Sequence, residues 1–459
     1  MDLKQKVLDR ILPEEKERQE SQQMFEKIKD FVSEEFGLEA GLMGSLAKDT
    51  FLSGDKDLDI FVFFPESTGR EELEEKGLEI GKKVFEHFGG EFEVEYAEHP
   101  YINTKINGFD IDIVPCYDIE DPSEPKSSVD RTPHHQKYIG NKLENDQTNE
   151  VLLLKKFLKG IGAYGSELKV HGFSGYLSEL LIIQYETFDN LIESAREWGK
   201  IKVINPKNNR SAEDLKKAFP EDPLILMDPV DPSRNVAAAL SKKNYAKFVR
   251  AAESFSQNPN KKFFNPDPAL NDKETMKEKI KERESKIFLI NLDIKEDIVP
   301  DILYPQLRKT KRKLRNKLER KEFKIIRSQV WAKENKAVLL IELEYPKISK
   351  VKTHEGPPLG ISAKPFLNKH KNSEENVAGP YINKEGKMVF ELEREYTEAE
   401  EVLKEALNSR EGLGNNIEKA IEKNGFEITQ DENTVQKVEQ VGGIELLGEY
   451  LDKRVPWQR

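Results

Sequence analysis

The chain has 459 residues, more than one core fills once cores stop growing near ~250 residues, so about three domains are expected. Charged residues make up 34% and hydrophobic ones 37%, against the usual ~25% and ~45%, which excludes a membrane-embedded body and implies a wide, wet surface. A single cysteine, Cys116, excludes an intramolecular disulfide and a cysteine-based zinc cluster, so a bound metal must rely on oxygen or imidazole.

The net charge of −12 argues, on average, against nucleic acid as a partner. The average hides a segregation. Residues 308–321, RKTKRKLRNKLERK, carry nine basic side chains and one acid, whereas residues 391–405 are mostly acidic. A basic run of this kind is either a solvated helix face or a phosphate-binding one. No apolar run of about 18 residues occurs and the start MDLKQKVLDR is charged from its second residue, so neither a transmembrane helix nor a signal peptide is expected. The sequence thus predicts no membrane partner and a cytoplasmic location.

In chain order, the first 36 residues predict two helices broken at Pro13, the second stopping at Gly37. GSLAKDTFLSGDKDLD (44–59) leads into the apolar strand IFVFF (60–64). Residues 67–88 predict a helix capped by Ser67 or Thr68 and ended by Gly89-Gly90, and EFEVEYA (91–97) alternates as a strand does. YINTKINGFDIDIVPCY (101–117) predicts a hairpin turning at Asn107-Gly108 and a strand ending at Pro115. Helical spacing then appears in 149–159 and as one block in 173–198, and the Pro- and Asn-rich stretch 257–268 has the composition of a linker. Strand-like runs at 286–294, 321–332 and 336–346 surround the basic helix. The expected fold class is α+β and multidomain, with domains at 1–145, 146–260 and 261–459.

Asp57 and Asp59 flank Leu58 at the entrance of a hydrophobic strand, and Asp110 and Asp112 repeat the pattern in DID. Alternation points each pair to one face. If the two strands are neighbours, three carboxylates meet at one end of a sheet, a site suited to Mg2+ and a polyphosphate. Alone, such an Asp-x-Asp reads as solvent-facing strand residues. Gly44-Ser45, eleven residues before Asp57, offers backbone N–H groups and a hydroxyl to phosphate oxygens. Arg131, Thr132, His134, His135 and Lys137 in SSVDRTPHHQKY form a candidate triphosphate grip, though a His-His pair also suits zinc.

At this point the sequence resembles a family. Gly-Ser, a spacer of about ten residues, Asp-x-Asp on a hydrophobic strand and a later acid resemble the polymerase-β-like nucleotidyltransferases. The ordered set GSLAKDTFLSGDKDLDIFVFF, DIDIVPCY, SSVDRTPHH, YGSELKVHGFSGYLSELLI and DPVDPSRNVAAALS is similar to the class I, archaeal-type CCA-adding enzymes. The resemblance implies a nucleotidyltransferase catalytic head, a helical neck that recognises the nucleotide base, and an α+β body and tail that bind tRNA. It implies addition of C, C and A to the tRNA 3′ end from CTP and ATP by a two-metal mechanism, with Mg2+ on Asp57, Asp59 and Asp112. Gly44, Ser45, Thr132, His135, Lys155 and Tyr164 fall at nucleotide-binding positions, and Arg234 at the base-reading one. Unlike the usual family pattern, Pro133 is followed by His134, His135 and Gln136, which leaves the second histidine's role to His134 or Gln136. Without the family match, Arg234 reads as an ion pair with Asp228 or Asp231. Arg308, Lys309, Lys311, Arg312 and Arg315 are the candidates for gripping the tRNA acceptor arm. A homodimer is compatible with this reading. The alternatives are a poly(A) polymerase-like enzyme and an inactive RNA-binding relative.

Overall fold

The computed structural model describes residues 2–96, 100–144, 146–207, 209–295 and 298–459. The chain forms two compact units, Met1–Asp267 with Arg454–Arg459, and Pro268–Lys453. No helix among the described residues is long and apolar enough to cross a membrane.

In the first unit, helices Leu3–Ile11 and Glu15–Phe36 are separated at Pro13, as expected. The strands that follow are β1 (Glu39–Leu42), β2 (Asp57–Pro65), β3 (Glu91–Tyr96), β4 (Pro100–Ile106) and β5 (Phe109–Asp118), ordered β1-β2-β5-β4-β3 in one sheet. Ala97, the last residue of the predicted third strand, lies outside the described residues. The hairpin turns at Asn107-Gly108, both with positive φ, the geometry that Asn-Gly favours.

Two expectations are corrected here. The helix after β2 runs Arg70–Phe88 and is preceded by Gly69, so neither Ser67 nor Thr68 caps it. Strand β5 does not end at Pro115. It continues to Asp118 alongside β2, and its antiparallel pairing with β4 has already stopped at Ile113. Proline's missing N–H therefore breaks no ladder bond to β4.

Even-numbered residues of β2 (Leu58, Ile60, Val62, Phe64) and odd-numbered ones of β5 (Ile111, Ile113, Tyr117) pack with Ile28 and Val32 of the second helix and with Leu73, Ile80 and Val84 of the helix Arg70–Phe88. The two-residue period turns the acids to the opposite face. A second core in the same unit gathers helices Gln147–Gly160, Gly175–Tyr185, Phe188–Ala195 and Lys242–Gln257, with β6 (Lys202–Ile204) parallel to β7 (Leu224–Leu226) beside them. The single helical block expected over 173–198 is thus two helices. Glu186 takes a positive φ, and the Thr187 hydroxyl accepts from the Asn190 N–H to start the second. The stretch 257–268 is not a free linker either. Phe263 and Phe264 are buried in the helical core, and Phe263 stacks on Trp457 near the chain's end.

The second unit is α+β. Strands β8 (Lys286–Asp293), β9 (Ile325–Lys333), β10 (Lys336–Leu343), β11 (Val351–Glu355), β12 (Asn376–Ile382), β13 (Met388–Glu393) and β14 (Glu427–Gln430) form two antiparallel sheets, ordered β14-β8-β10-β9 and β11-β13-β12. The first sheet is covered on both faces, Phe288, Ile290 and Leu292 facing one core and Ile287 and Leu289 another.

Candidate active site

Strands β2 and β5 run parallel, with Asp57 opposite Asp110 and Asp59 opposite Asp112. Four carboxylates therefore share one face, opposite the core with the two long helices, at the starting ends of neighbouring strands. Asn103 of β4 donates from Nδ2 to Asp112 Oδ1 at 2.8 Å and to Asp110 Oδ1 at 2.5 Å. Lost solvation, then Asp55 and Asp110, raise the Asp57 pKa. Lost solvation and Asp57 push Asp59 up to about 6 against the pull of Lys48 and Lys155. This face carries more negative charge than its surroundings balance.

Above it sits the Gly-Ser turn. Gly44 has φ +70°, and a Cβ built there would lie 1.8 Å from Asp59 Oδ2, so only glycine lets that carboxylate close up against the backbone of the turn. Ser45 precedes the short 3-10 helix Leu46–Lys48, and its carbonyl accepts from the Thr50 N–H at 2.9 Å. Oxygen donors and excess negative charge fit a hard divalent cation. Among the described residues no three His, Cys, Asp or Glu side chains close into a metal cage. An ion that keeps waters and phosphate oxygens in its shell needs none.

The turn is tied to the helical core by residues the sequence reading missed. Glu179, fully buried, accepts from Lys48 Nζ at 2.6 Å and from the Thr50 hydroxyl at 2.8 Å. Lys155 is also buried, donating to the Thr50 carbonyl at 2.7 Å, with Glu179 3.8 Å away. Burial lowers its pKa to about 8, against the field of Glu179. Lys155 thus lies sealed beneath the turn rather than open above it. A Cβ on Gly175 would stand 3.4 Å from the Tyr164 hydroxyl and 3.7 Å from Lys155 Nζ, so these two predicted residues meet at the start of the helix Gly175–Tyr185. Burial and then the fields of Glu179, Asp55 and Asp57 raise the Tyr164 pKa. The one signal for Glu179 was a lone acid in the apolar run GYLSELLIIQY.

Of the remaining predicted residues, His135 and Arg234 meet at Asp228. Thr132 begins the helix Thr132–Lys142 and is partly exposed. On that helix, His135 Nε2 lies 2.8 Å from Asp228 Oδ2, and the ring stacks on Tyr176 at 4.1 Å. A carboxylate only accepts, so Nε2 carries the proton. Burial lowers the His135 pKa, Asp228 opposes that, and the fields of Arg234 and Lys48 add to it. Arg234 Nη1 donates to the same Asp228 oxygen at 2.8 Å. The ion pair that the residue alone suggested is therefore present, yet the Arg234 side chain stays 39% exposed. Burial works to raise Asp228, but His135, the Val230 N–H and Arg234 hold it down at about 2. Two other members of the expected grip, Arg131 and His134, turn elsewhere, as does Gln136, the other candidate for the second histidine's role. Arg131 pairs with Asp231 at 2.9 Å, His134 Nε2 reaches the Ile119 carbonyl at 2.9 Å, and the Gln136 amide donates to the Leu42 carbonyl at 2.9 Å.

In the second unit, the basic run occupies the helix Pro300–Arg320. Leu303, Leu307, Leu314 and Leu318 form its buried stripe. Lys309 and Arg312 are exposed, Arg308, Lys311 and Arg315 are partly exposed, and Arg315 pairs with Glu319 at 3.1 Å.

Residues 25–135, which hold the five-stranded sheet and its acids, match the family described as Nucleotidyltransferase domain, and the fold is that of a polymerase-β-like nucleotidyltransferase. Residues 149–265 match the tRNA nucleotidyltransferase second domain, and 283–431 the CCA-adding enzyme C-terminal domain. The CCA-adding enzyme of Methanosarcina acetivorans is 38% identical over 448 residues, covering 94% of each chain. That of Archaeoglobus fulgidus is 36% identical over 447 residues, covering 97% of this chain and 98% of its own. The chain belongs to the family of archaeal CCA-adding enzymes, which are tRNA nucleotidyltransferases.

Proposed function

We propose that the protein builds the 3′ end of tRNA by adding C, C and A from CTP and ATP without a nucleic-acid template, releasing pyrophosphate at each step. The observation that carries the chemistry is the under-balanced carboxylate face beneath Gly44, where a side chain at 44 would strike Asp59.

In this scheme Asp57, Asp59 and Asp112 would hold Mg2+. Bound there, two such ions would ease ionisation of the tRNA 3′-hydroxyl and neutralise the leaving pyrophosphate. The N–H groups of the Gly44-Ser45 turn, with Thr132 and His135, orient the triphosphate. Lys48 and Lys155 place positive charge under it, and Tyr164 supports the turn through the Gly175 helix start. Asp112 receives the 3′-hydroxyl proton on a carboxylate oxygen as the 3′ oxygen bonds to the α-phosphorus and the bond to pyrophosphate breaks. Arg234 meets the Watson–Crick edge of the incoming base.

Residues 1–145 serve as the catalytic head and 146–260 as the neck that reads the base. Residues 261–459 are the body and tail, in which Arg308, Lys309, Lys311, Arg312 and Arg315 grip acceptor-arm phosphates.

The test is incubation with magnesium, radiolabelled CTP or ATP, and tRNAs ending before C, after C and after CC. The expected result is C incorporation on the first two and A on the third. ATP incorporation with no CTP incorporation would overturn the reading in favour of a poly(A) polymerase-like enzyme. Unchanged incorporation by an Asp57→Ala, Asp59→Ala variant would show the site to be misplaced.

A further inference from the structure

Asp228 has a fully buried side chain and four donors. Oδ2 accepts from His135 Nε2 and from Arg234 Nη1, each at 2.8 Å. Oδ1 accepts from the Tyr176 hydroxyl at 3.1 Å and from the Val230 N–H at 2.9 Å. The helix Thr132–Lys142, the helix Gly175–Tyr185 and the loop after β7 therefore converge on one carboxylate. The loop backbone has a second anchor. Asp231 Oδ1 accepts from the Ser233 N–H at 3.0 Å and the Ser233 hydroxyl at 2.7 Å, while its Oδ2 takes Arg131. Asp231 thus adds its own hold on the chain at this turn, while Asp228, besides taking the Val230 N–H and donating its own N–H to the Arg234 carbonyl at 3.0 Å, gathers three side chains.

Arg234 is held at one nitrogen by a buried partner while the side chain remains 39% exposed. A guanidinium only donates. Cytosine presents acceptors at N3 and O2 and adenine one at N1, whereas uracil and guanine place an N–H at the matching ring position. A donor held still meets that N–H head-on and rejects it. One that swings on its long, rotamer-rich stem yields to it and loses the distinction.

We infer that Asp228 is a positioning residue that fixes the plane of the Arg234 guanidinium and so sets the preference for C and A over U and G. The inference rests on the proposed meeting of Arg234 with the base.

The experiment compares kcat/KM for CTP, ATP, UTP and GTP on tRNAs ending before C and after CC. The proteins are the parent, Asp228→Asn, Arg234→Ala and the double variant, with a melting temperature for each. Asp228→Asn is expected to lower the preference for CTP and ATP over UTP and GTP by at least tenfold. Adding it to Arg234→Ala is expected to change that preference by less than twofold, since the arginine it orients is gone. A purely structural role would lower all four rates together. Asp228→Glu, which keeps the charge but displaces it by a methylene, is the second variant, with an expected loss of at least threefold. Parental preference in either Asp228 variant overturns the inference, as does an undiminished effect of Asp228→Asn on top of Arg234→Ala. A parent protein that adds neither C nor A overturns the functional reading and this inference together. A parent that adds both, with unaltered preference in the Asp228 variants, overturns the inference alone.

Discussion

Asp59 on β2 and Glu342 on β10 are acids on inner strands of the two main sheets, and their surroundings treat them in opposite ways. For Asp59, lost solvation and the neighbouring Asp57 push the pKa up to about 6. Glu342 is fully buried, yet it lies below the ordinary carboxylate value. Burial works to raise Glu342, but Arg283 at 2.6 Å, Ser285 at 2.5 Å, Tyr450 at 2.9 Å and Arg327 at 2.9 Å outweigh it. The second unit supplies two permanent cations to one acid. The first unit sets four acids on one face, where Lys105 Nζ stands 4.0 Å from Asp110 and only the fields of Lys48 and Lys155 oppose the rise at Asp59. A carboxylate balanced inside its own fold is a structural element, whereas one left short of counter-charge awaits a charge from outside.

Replacing each acid should separate these roles. Asp59→Asn is expected to cut nucleotide incorporation by about a thousandfold or more, the scale of losing a central electrostatic element. Its melting temperature is expected to match or exceed the parent's, because a repulsion is removed. A loss below tenfold in a radiolabel assay would place the chemistry elsewhere. Glu342→Ala should do the reverse, costing about 3–5 kcal/mol in urea unfolding because Arg283 and Arg327 lose their buried partner. Since the folded Glu342 pKa lies below its ordinary 4.5, its contribution is whole above that pH and is lost as pH falls. The stability gap between the parent and Glu342→Gln is therefore expected to shrink below about pH 4.5. A gap that stays constant down to pH 3 would mean the carboxylate's charge is not what the arginines hold.

What was legible follows the same divide. Asp57, Asp59, Asp110 and Asp112 stood out because the two-residue period of a strand turns every other residue to one face, and acids there interrupt an apolar pattern. Their pairing across β2 and β5 needed only that the strands be neighbours. Glu179 and Lys48 are 131 positions apart, and no local pattern joins them. Asp228 was visible only as a partner for Arg234, because its other side-chain donors, His135 and Tyr176, come from distant helices. The continuation of β5 past Pro115 was hidden because proline's penalty depends on which neighbour still pairs there, a tertiary fact. The break at Glu186 was partly readable, since Thr187 offers a cap to Asn190, but the apolar period on both sides masked it.

The cations differ as much as the acids do, and Lys155 tests this. Arginine keeps its charge at every accessible pH, so the pair around Glu342 is permanent. Lys155 is buried, and its pKa is lowered from 10.5 to about 8. Below about pH 8 both folded and unfolded chains carry that proton, and the fold bears the full cost of burying the charge. As pH rises from about 8 toward 10.5 the folded protein sheds a proton that the unfolded chain keeps, so stability rises through this window. Lys155→Met has no proton to shed. The parent is therefore expected to gain stability relative to Lys155→Met across that interval, by up to about 3 kcal/mol at ~1.4 kcal/mol per pKa unit. Urea unfolding at pH 7.5, 9 and 10 reads the slope. A flat difference would mean that Lys155 stays fully charged beside Glu179 and Thr50, making the first unit's cation as permanent as the second unit's arginines.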